Sequence, residues 1–221
     1  MIDTLLSIVA PHHCSGCGQI GTLLCDNCKY DIIDEHENVC IVCKKPAGNR
    51  GVCAHCRVPY ERAWTVGERS GSLQRLIGQY KFTYARAAYK PLSDLLDRTI
   101  SQLPIGTIIV PVPTIASHVR ERGYDHILLI AIRFAHIRGL KLHKSLKRSS
   151  QTTQRHTSAN TRRQQAKRAF EVRGVIDPAA IYLLIDDVAT TGATLEFASK
   201  ELKKAGAQHV WVAAIAYQTL D

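Results

Sequence analysis

Two adjacent carboxylates, Asp186 and Asp187, stand directly behind an apolar run and directly ahead of a hydroxyl-rich turn. The run is Ile181 to Ile185, the turn is Thr190-Thr191-Gly192-Ala193-Thr194, and a helical pattern begins near Leu195. Such a sequence places a buried strand, a carboxylate pair and then a cradle of backbone N–H groups at the mouth of an α/β sheet. That chemistry suits a ribose 5-phosphate. Carboxylates meet the vicinal hydroxyls, while amides and threonine hydroxyls meet the phosphate. A helix cap explains one carboxylate, not two behind a buried run. No Gly-Lys-Ser/Thr ends the turn, which excludes a Walker loop.

Four apolar residues followed by Asp-Asp-x-x-Thr-Thr-Gly-x-Thr resemble the signature with which type I phosphoribosyltransferases bind 5-phosphoribosyl pyrophosphate (PRPP). The resemblance implies that Asp186 and Asp187 carry the ribose hydroxyls, directly or through Mg²⁺, and are the catalytic carboxylates. It also implies that Ala189, Thr190, Thr191, Gly192, Ala193 and Thr194 hold the 5-phosphate. Mg²⁺ would enter with PRPP, held mostly by pyrophosphate oxygens and water.

A second chemistry is written near the N-terminus. Four Cys-x-x-Cys pairs occur, Cys14/Cys17, Cys25/Cys28, Cys40/Cys43 and Cys53/Cys56. Each has the spacing that brings two thiolates to one tetrahedral Zn²⁺, so eight ligands make two Cys₄ sites. Consecutive pairing gives a double zinc ribbon, and an interleaved, cross-braced pairing is also compatible with the spacing. His12, His13 and His55 flank the knuckles and are read as spectators. Closed Cys₄ sites leave no open coordination position, so both metals are expected to be structural. Gly16 and Gly18 supply tight turns around the first knuckle.

The chain has 221 residues and a formal net charge of +10. Residues 1–60 carry five Lys/Arg against six Asp/Glu, whereas residues 61–221 carry 24 against 13. Residues 141–168 contain nine Lys/Arg and no acid. This polar tract reads as a basic flexible loop that closes on a polyphosphate, or as a strip contacting nucleic acid through Arg155, Arg162, Arg163, Lys167 and Arg168. Few aromatics (6%) count against extensive base stacking. The loop from Pro111 to Arg122 follows an apolar strand, and Pro113, Arg120 and Arg122 are candidates for the pyrophosphate, since guanidinium groups match its oxygens bidentately. Lys81, after the first helix, is a weaker candidate for the same role and reads more simply as a surface lysine.

These groups need a frame. Strands are expected around Trp64–Arg69, Thr107–Val110, Ile181–Ile185 and His209–Tyr217. Helices are expected over Leu73–Tyr80, Ala85–Leu103 (with Pro91 in its first turn), Ile127–Arg138 and Leu195–Ala205. This βα alternation predicts a mainly parallel sheet covered on both faces. Two units follow: a zinc-binding module over residues 1–60 and a phosphoribosyltransferase-like domain over 61–221. No apolar run approaches the length of a membrane helix, and no basic n-region precedes Leu5–Ala10, so neither membrane insertion nor a signal peptide is expected. Eight cysteines in a chain that otherwise reads as cytoplasmic point to metal before disulfides.

The order of motifs along nearly the whole chain resembles the ComF family of competence proteins. It comprises the Cys-x-x-Cys module, Val110-Pro-Val-Pro113, Arg120-Glu-Arg-Gly-Tyr-Asp-His126, Gln151-Thr-Thr-Gln154 with Arg162, Ala169-Phe170, and Leu184 to Thr194. Asp125-His126 replace the Asn-Gln common in that family. The resemblance implies a type I phosphoribosyltransferase fold behind a zinc module. It also implies a cytoplasmic role in natural transformation, where imported single-stranded DNA is handled, with phosphoribosyl transfer from PRPP to an unnamed acceptor. Its partners would be single-stranded DNA and, through the zinc module, helicase or recombination factors. The alternative is a non-catalytic adaptor on the same fold that binds single-stranded DNA or senses PRPP.

Overall fold

The computed structural model describes residues 11–34, 38–148 and 170–219. Among the described residues, the Cys-rich segment contributes one helix, α1 (Asp26–Asp34). Next come β1 (Arg62–Glu68), α2 (Gly71–Phe82), a 3₁₀ turn (Arg86–Ala88), α3 (Tyr89–Thr99) and β2 (Ile108–Pro111). Two helices follow, α4 (Ala116–Arg122) and α5 (His126–Arg138). The chain then forms β3 (Lys141–Leu142), β4 (Leu146–Arg148), β5 (Phe170–Val172), β6 (Ile181–Ala189), α6 (Ala193–Lys204) and β7 (His209–Tyr217).

Five strands form one sheet in the order β1-β7-β6-β2-β3, every pair parallel. Its central strands are apolar on both faces, as a sheet covered on both sides requires. In β6, Tyr182 to Ile185 are buried, and in β7 Val210 and Val212 to Tyr217 are buried. One face packs against α2, α3 and α5 through Leu73, Leu76, Leu92, Leu95, Ile130 and Phe134. The other packs against α6 and the small antiparallel β4–β5 ribbon through Leu146, Phe170, Leu195 and Leu202. The mainly parallel α/β sheet read from the sequence is borne out.

Several elements differ from the sequence reading. The helix expected over Ala85–Leu103 is a 3₁₀ turn followed by α3, which places Pro91 in the first turn, where a missing N–H costs nothing. The segment after β2 is not all loop: Ala116–Arg122 is helical and ends at Gly123 in the left-handed region (φ 78°). The basic tract begins as structure rather than loop, with Lys141–Leu142 in β3 and Leu146–Arg148 in β4. Arg155, Arg162, Arg163, Lys167 and Arg168 lie outside the described residues. Helix α5 is closed at both ends, the far one by the glycine that follows it in the sequence. The Asp125 side chain accepts from Leu128 N (3.1 Å), and Gly139 caps the far end at φ 62°.

Candidate functional site

Chain direction around the sheet reverses between β6 and β2. From β2 the path runs through α5 to β3 on one side, and from β6 through α6 to β7 on the other. Such a switch point opens a crevice beyond the carboxyl ends of the two strands, where open α/β sheets bind ligands. A cavity of about 180 Å³ lies there, lined by Pro113, His118, His126, Arg148, Asp186, Asp187 and Thr194 among others. Strand β6 does not stop at Ile185 as the apolar run implies. It continues through both carboxylates to Ala189, paired with β7.

The two acids live in opposite electrostatic surroundings. Asp187 Oδ2 is ion-paired with Lys81 Nζ and lies 2.6 Å from His126 Nε2. Burial by itself would raise the Asp187 carboxyl, but His126 and Lys81 outweigh it and hold the group well below the usual range. Asp186 is pushed up to about 7, first by burial and then by the neighbouring charge of Asp187. Each carboxylate also accepts the next backbone amide, Asp187 N to Asp186 Oδ1 (2.9 Å) and Val188 N to Asp187 Oδ1 (2.6 Å). One acid is therefore ionised and committed, while the other is poised to lose its proton near neutrality.

The turn Thr190–Thr194 leads into α6, with Gly192 as its N-cap in the left-handed region (φ 74°). Thr190 and Thr191 are exposed, Thr194 lines the cavity, and Ala193 N donates to Thr191 Oγ1 (3.4 Å). Of residues 189–194 only Thr194 lines the cavity, so the crevice joins the carboxylate pair, one threonine hydroxyl and the first turn of α6, groups able to meet a phosphorylated sugar.

Of the residues considered for the pyrophosphate, Pro113 lines the cavity, but the two arginines do not. Arg122 is turned inward: its Nε donates to Lys81 O (2.9 Å) and its Nη1 to His126 Nδ1 (2.8 Å). Arg120 is exposed on α4. The cation inside the cavity is instead Arg148, from β4. It donates to Pro113 O (3.3 Å), stacks over Phe170 and feels the charge of Asp186. Lys81 is not a surface lysine, because its side chain is only 17% exposed. Sequence reasoning underweighted Lys81 and missed His118, His126 and Arg148. His126, next to the capping Asp125, carried the one usable signal: a departure inside an otherwise matching motif.

The cysteines gather in two groups, Cys14/Cys17/Cys25/Cys28 and Cys40/Cys43/Cys53/Cys56. This is the consecutive pairing, and the interleaved one is excluded. Within each group the sulfurs lie within 4.8 Å of one another, and Cys17–Cys25 (3.7 Å) and Cys43–Cys53 (3.6 Å) match the ~3.8 Å edge of a tetrahedron with Zn–S bonds of about 2.3 Å. Gly16 is obligatory, since a Cβ there would lie 2.3 Å from Cys28 Sγ. Burial would raise the Cys14 thiol, but N–H donors from Cys25, Cys17 and Gly16 bring it to about 6. Cys28 is pushed up to about 12 by burial and by its neighbouring thiols. Four clustered thiols cannot all ionise without a cation among them, so the donor set fits structural zinc. The two groups sit on opposite faces of the sheet. Cys14 and Cys28 join the α2/α3 side, and Ile41, within the second knuckle, joins the α6 side.

Fold and site together define an α/β protein with a parallel five-stranded sheet, a crevice at its switch point and a Cys-rich N-terminal part. Comparison with known proteins bears out the ComF resemblance. The chain is 28% identical to Competence protein F of Haemophilus influenzae, over 87% of this chain and 96% of that protein. It is likewise 28% identical to the DNA utilization protein YhgH of Salmonella typhi, over 86% of this chain and 94% of the relative. The YhgH of Escherichia coli K12 is 26% identical over the same shares. No family model matches. Among solved structures, the allosteric regulatory enzyme of purine biosynthesis superposes with a TM-score of 0.41 at 22% identity, over 57% of this chain and 25% of that one. A purine phosphoribosyltransferase from Pyrococcus horikoshii gives 0.33 at 20% identity, over 63% and 83%.

Proposed function

We propose that the protein binds PRPP with Mg²⁺ in the crevice between β6 and β2 and acts in the cytoplasm during natural transformation, where imported single-stranded DNA is handled. The observation that carries this reading is the convergence of Asp186, Asp187 and the α6 N-terminus on one cavity at the switch point. Asp186 and Asp187 would face the ribose hydroxyls, residues 189–194 the 5-phosphate, and Pro113 with Arg148 the pyrophosphate side. Bound Mg²⁺ would neutralise the departing pyrophosphate, while Asp186, once it has lost the proton it holds up to about pH 7, would supply the protein's oxygen. Because C1 becomes oxocarbenium-like as pyrophosphate leaves, the residues act by positioning and by charge. In this reading residues 1–60 are a zinc-folded module that recruits helicase or recombination factors, and 61–221 are the ligand-binding domain. Among the described residues, no helix is long and apolar enough to cross a membrane.

The test is calorimetry with PRPP and Mg²⁺, followed by a search for pyrophosphate release with nucleobases and single-stranded DNA as acceptors. Saturable binding that disappears in the Asp186→Asn/Asp187→Asn protein is expected. Absence of binding in the zinc-loaded wild type rules the reading out.

One observation favours occupancy without turnover. Asp187 is already engaged by Lys81 and His126, which leaves it unavailable as a base for an incoming nucleophile. Under this second reading the protein is a PRPP sensor or a single-stranded DNA adaptor. Binding to DNA would then weaken steeply with salt and with neutralisation of Arg155, Arg162, Arg163, Lys167 and Arg168.

A further inference from the structure

The two cysteine knuckles are built alike. In the first, Gly18 N donates to Cys14 O (3.0 Å) and Cys14 N to Gln19 O (2.8 Å). In the second, Lys44 N donates to Cys40 O (2.9 Å) and Cys40 N to Lys45 O (2.8 Å). The residue after each Cys-x-x-Cys pair therefore occupies the same turn position, and in both knuckles it is left-handed. Gly18 has φ 78° and Lys44 has φ 62°. Glycine adopts this conformation freely and lysine does not, so a lysine here is a conformational cost that needs an explanation.

The amine of Lys44 supplies one. Nζ donates to Ile41 O (2.5 Å), inside its own knuckle, and to Ala189 O (3.0 Å), the last residue of β6. It also lies 5.7 Å over the ring of Tyr217, at the end of β7. Ala189 is followed directly by the turn Thr190–Thr194, and that turn rests on the same knuckle. A Cβ built on Gly192 would lie 3.6 Å from Val42 Cγ2 and 3.7 Å from Ile41 O. Ile41 itself is fully buried against the α6 side of the sheet. The second Cys₄ group thus forms the floor beneath the phosphate turn, and a lysine spans the two.

We propose that Lys44 is a positioning residue that ties the second metal knuckle to the phosphate turn, so that metal held by Cys40, Cys43, Cys53 and Cys56 sets how tightly residues 190–194 hold a phosphate ester. Among the described residues, the first metal site, with Gly18 at the equivalent position, has no such link. As regards ligand affinity, the proposal rests on the PRPP reading above. Its structural half does not.

Lys44→Gly is the suitable variant, because it removes the amine while supplying the residue the turn prefers. Zinc content, amide hydrogen exchange of residues 189–194, and PRPP/Mg²⁺ affinity would be measured on the full chain. Expected are two zinc ions per chain, exchange in 190–194 faster by about tenfold, and affinity weaker by a similar factor. In the wild type, removing zinc from the second site should reproduce the faster exchange. Exchange in Lys44→Gly that matches the wild type overturns the proposal. So does loss of zinc from the variant, which would show the amine holding the knuckle rather than the turn. A wild type that binds no PRPP yet shows Lys44-dependent protection refutes the ligand and leaves the link standing. Unchanged PRPP affinity beside altered exchange refutes the effect on binding.

Discussion

His126 Nε2 lies 2.6 Å from Asp187 Oδ2, while the other ring nitrogen, Nδ1, lies 2.8 Å from Arg122 Nη1. A guanidinium can only donate, so Nδ1 accepts, and the ring proton sits on Nε2 pointing at the carboxylate. Through these two contacts the ring transmits the orientation of α4 to the acid at the end of β6. Truncation by His126→Ala leaves a nearly buried carboxylate oxygen and a guanidinium without their partner, which should cost about 2–3 kcal/mol. His126→Gln should recover most of this, because an amide also accepts at one atom and donates at the other. Urea midpoints at constant slope measure both. Equal losses in the two variants would show that the tautomer argument is wrong.

His126 and Lys81 together keep Asp187 ionised, and the Lys81–Asp187 pair has side-chain exposures of 17% and 19%. Lys81→Met leaves the carboxylate facing only the His126 imidazole. Folding at pH 7 should weaken by about 1–3 kcal/mol, the usual penalty for stranding a desolvated group. The low pKa of Asp187 contributes stability that is complete above the unfolded value and lost as pH falls through the folded one. In the variant the ¹³C carboxyl resonance of Asp187 should begin to titrate within or above the ordinary aspartate range. A resonance unmoved from its wild-type behaviour contradicts the pairing.

Local chemistry was legible in the sequence because it is local. The eight thiols, the carboxylate pair and the glycine turn each lie within a few residues of their partners, and strand β7 has the bounds its apolar run implies. What the chain folds together from a distance was not. Lys81, at the end of α2, looks like any solvated lysine until the sheet brings β6 beside it. Arg148 enters the cavity through a ribbon whose two strands flank the undescribed tract, so no spacing rule reveals it. Helix α4 is seven residues with no buried side chain, hence no apolar period to read. Strand β6 hides its last residues because carboxylates interrupt the pattern that marks a buried strand.

Gly16 offers a test of the first metal site that replaces none of its four cysteines. A methyl group there would meet Cys28 Sγ at 2.3 Å. Gly16→Ala should therefore reduce zinc from two ions per chain towards one. The α2/α3 side of the core should loosen, because Cys14 and Cys28 are packed into it. A fall in Tm of about 5–10 °C would be in keeping with partial loss of a structural zinc in a domain of this size. Two zinc ions and an unchanged Tm would mean that the knuckle shifts to accept the methyl.

Asp186 ties function to stability in the opposite sense from Asp187. Burial and the charge beside it raise its carboxyl to about 7 in the folded protein. The folded state therefore binds the proton more tightly than the unfolded chain. Its contribution is complete below the unfolded aspartate value and drains away as pH rises towards 7. Asparagine is a neutral replacement of the same shape, so Asp186→Asn should stabilise the protein more at pH 8 than at pH 5. The difference should be about 1–2 kcal/mol, or roughly 2–8 °C in Tm. Ligand binding should respond the other way. Cation-dependent PRPP affinity in the wild type should rise as pH passes through 7 and the carboxylate is released, and the variant should lose both the affinity and its pH dependence. An equal gain in Tm at the two pH values would show that Asp186 is already ionised throughout, and that the rise in affinity has another source.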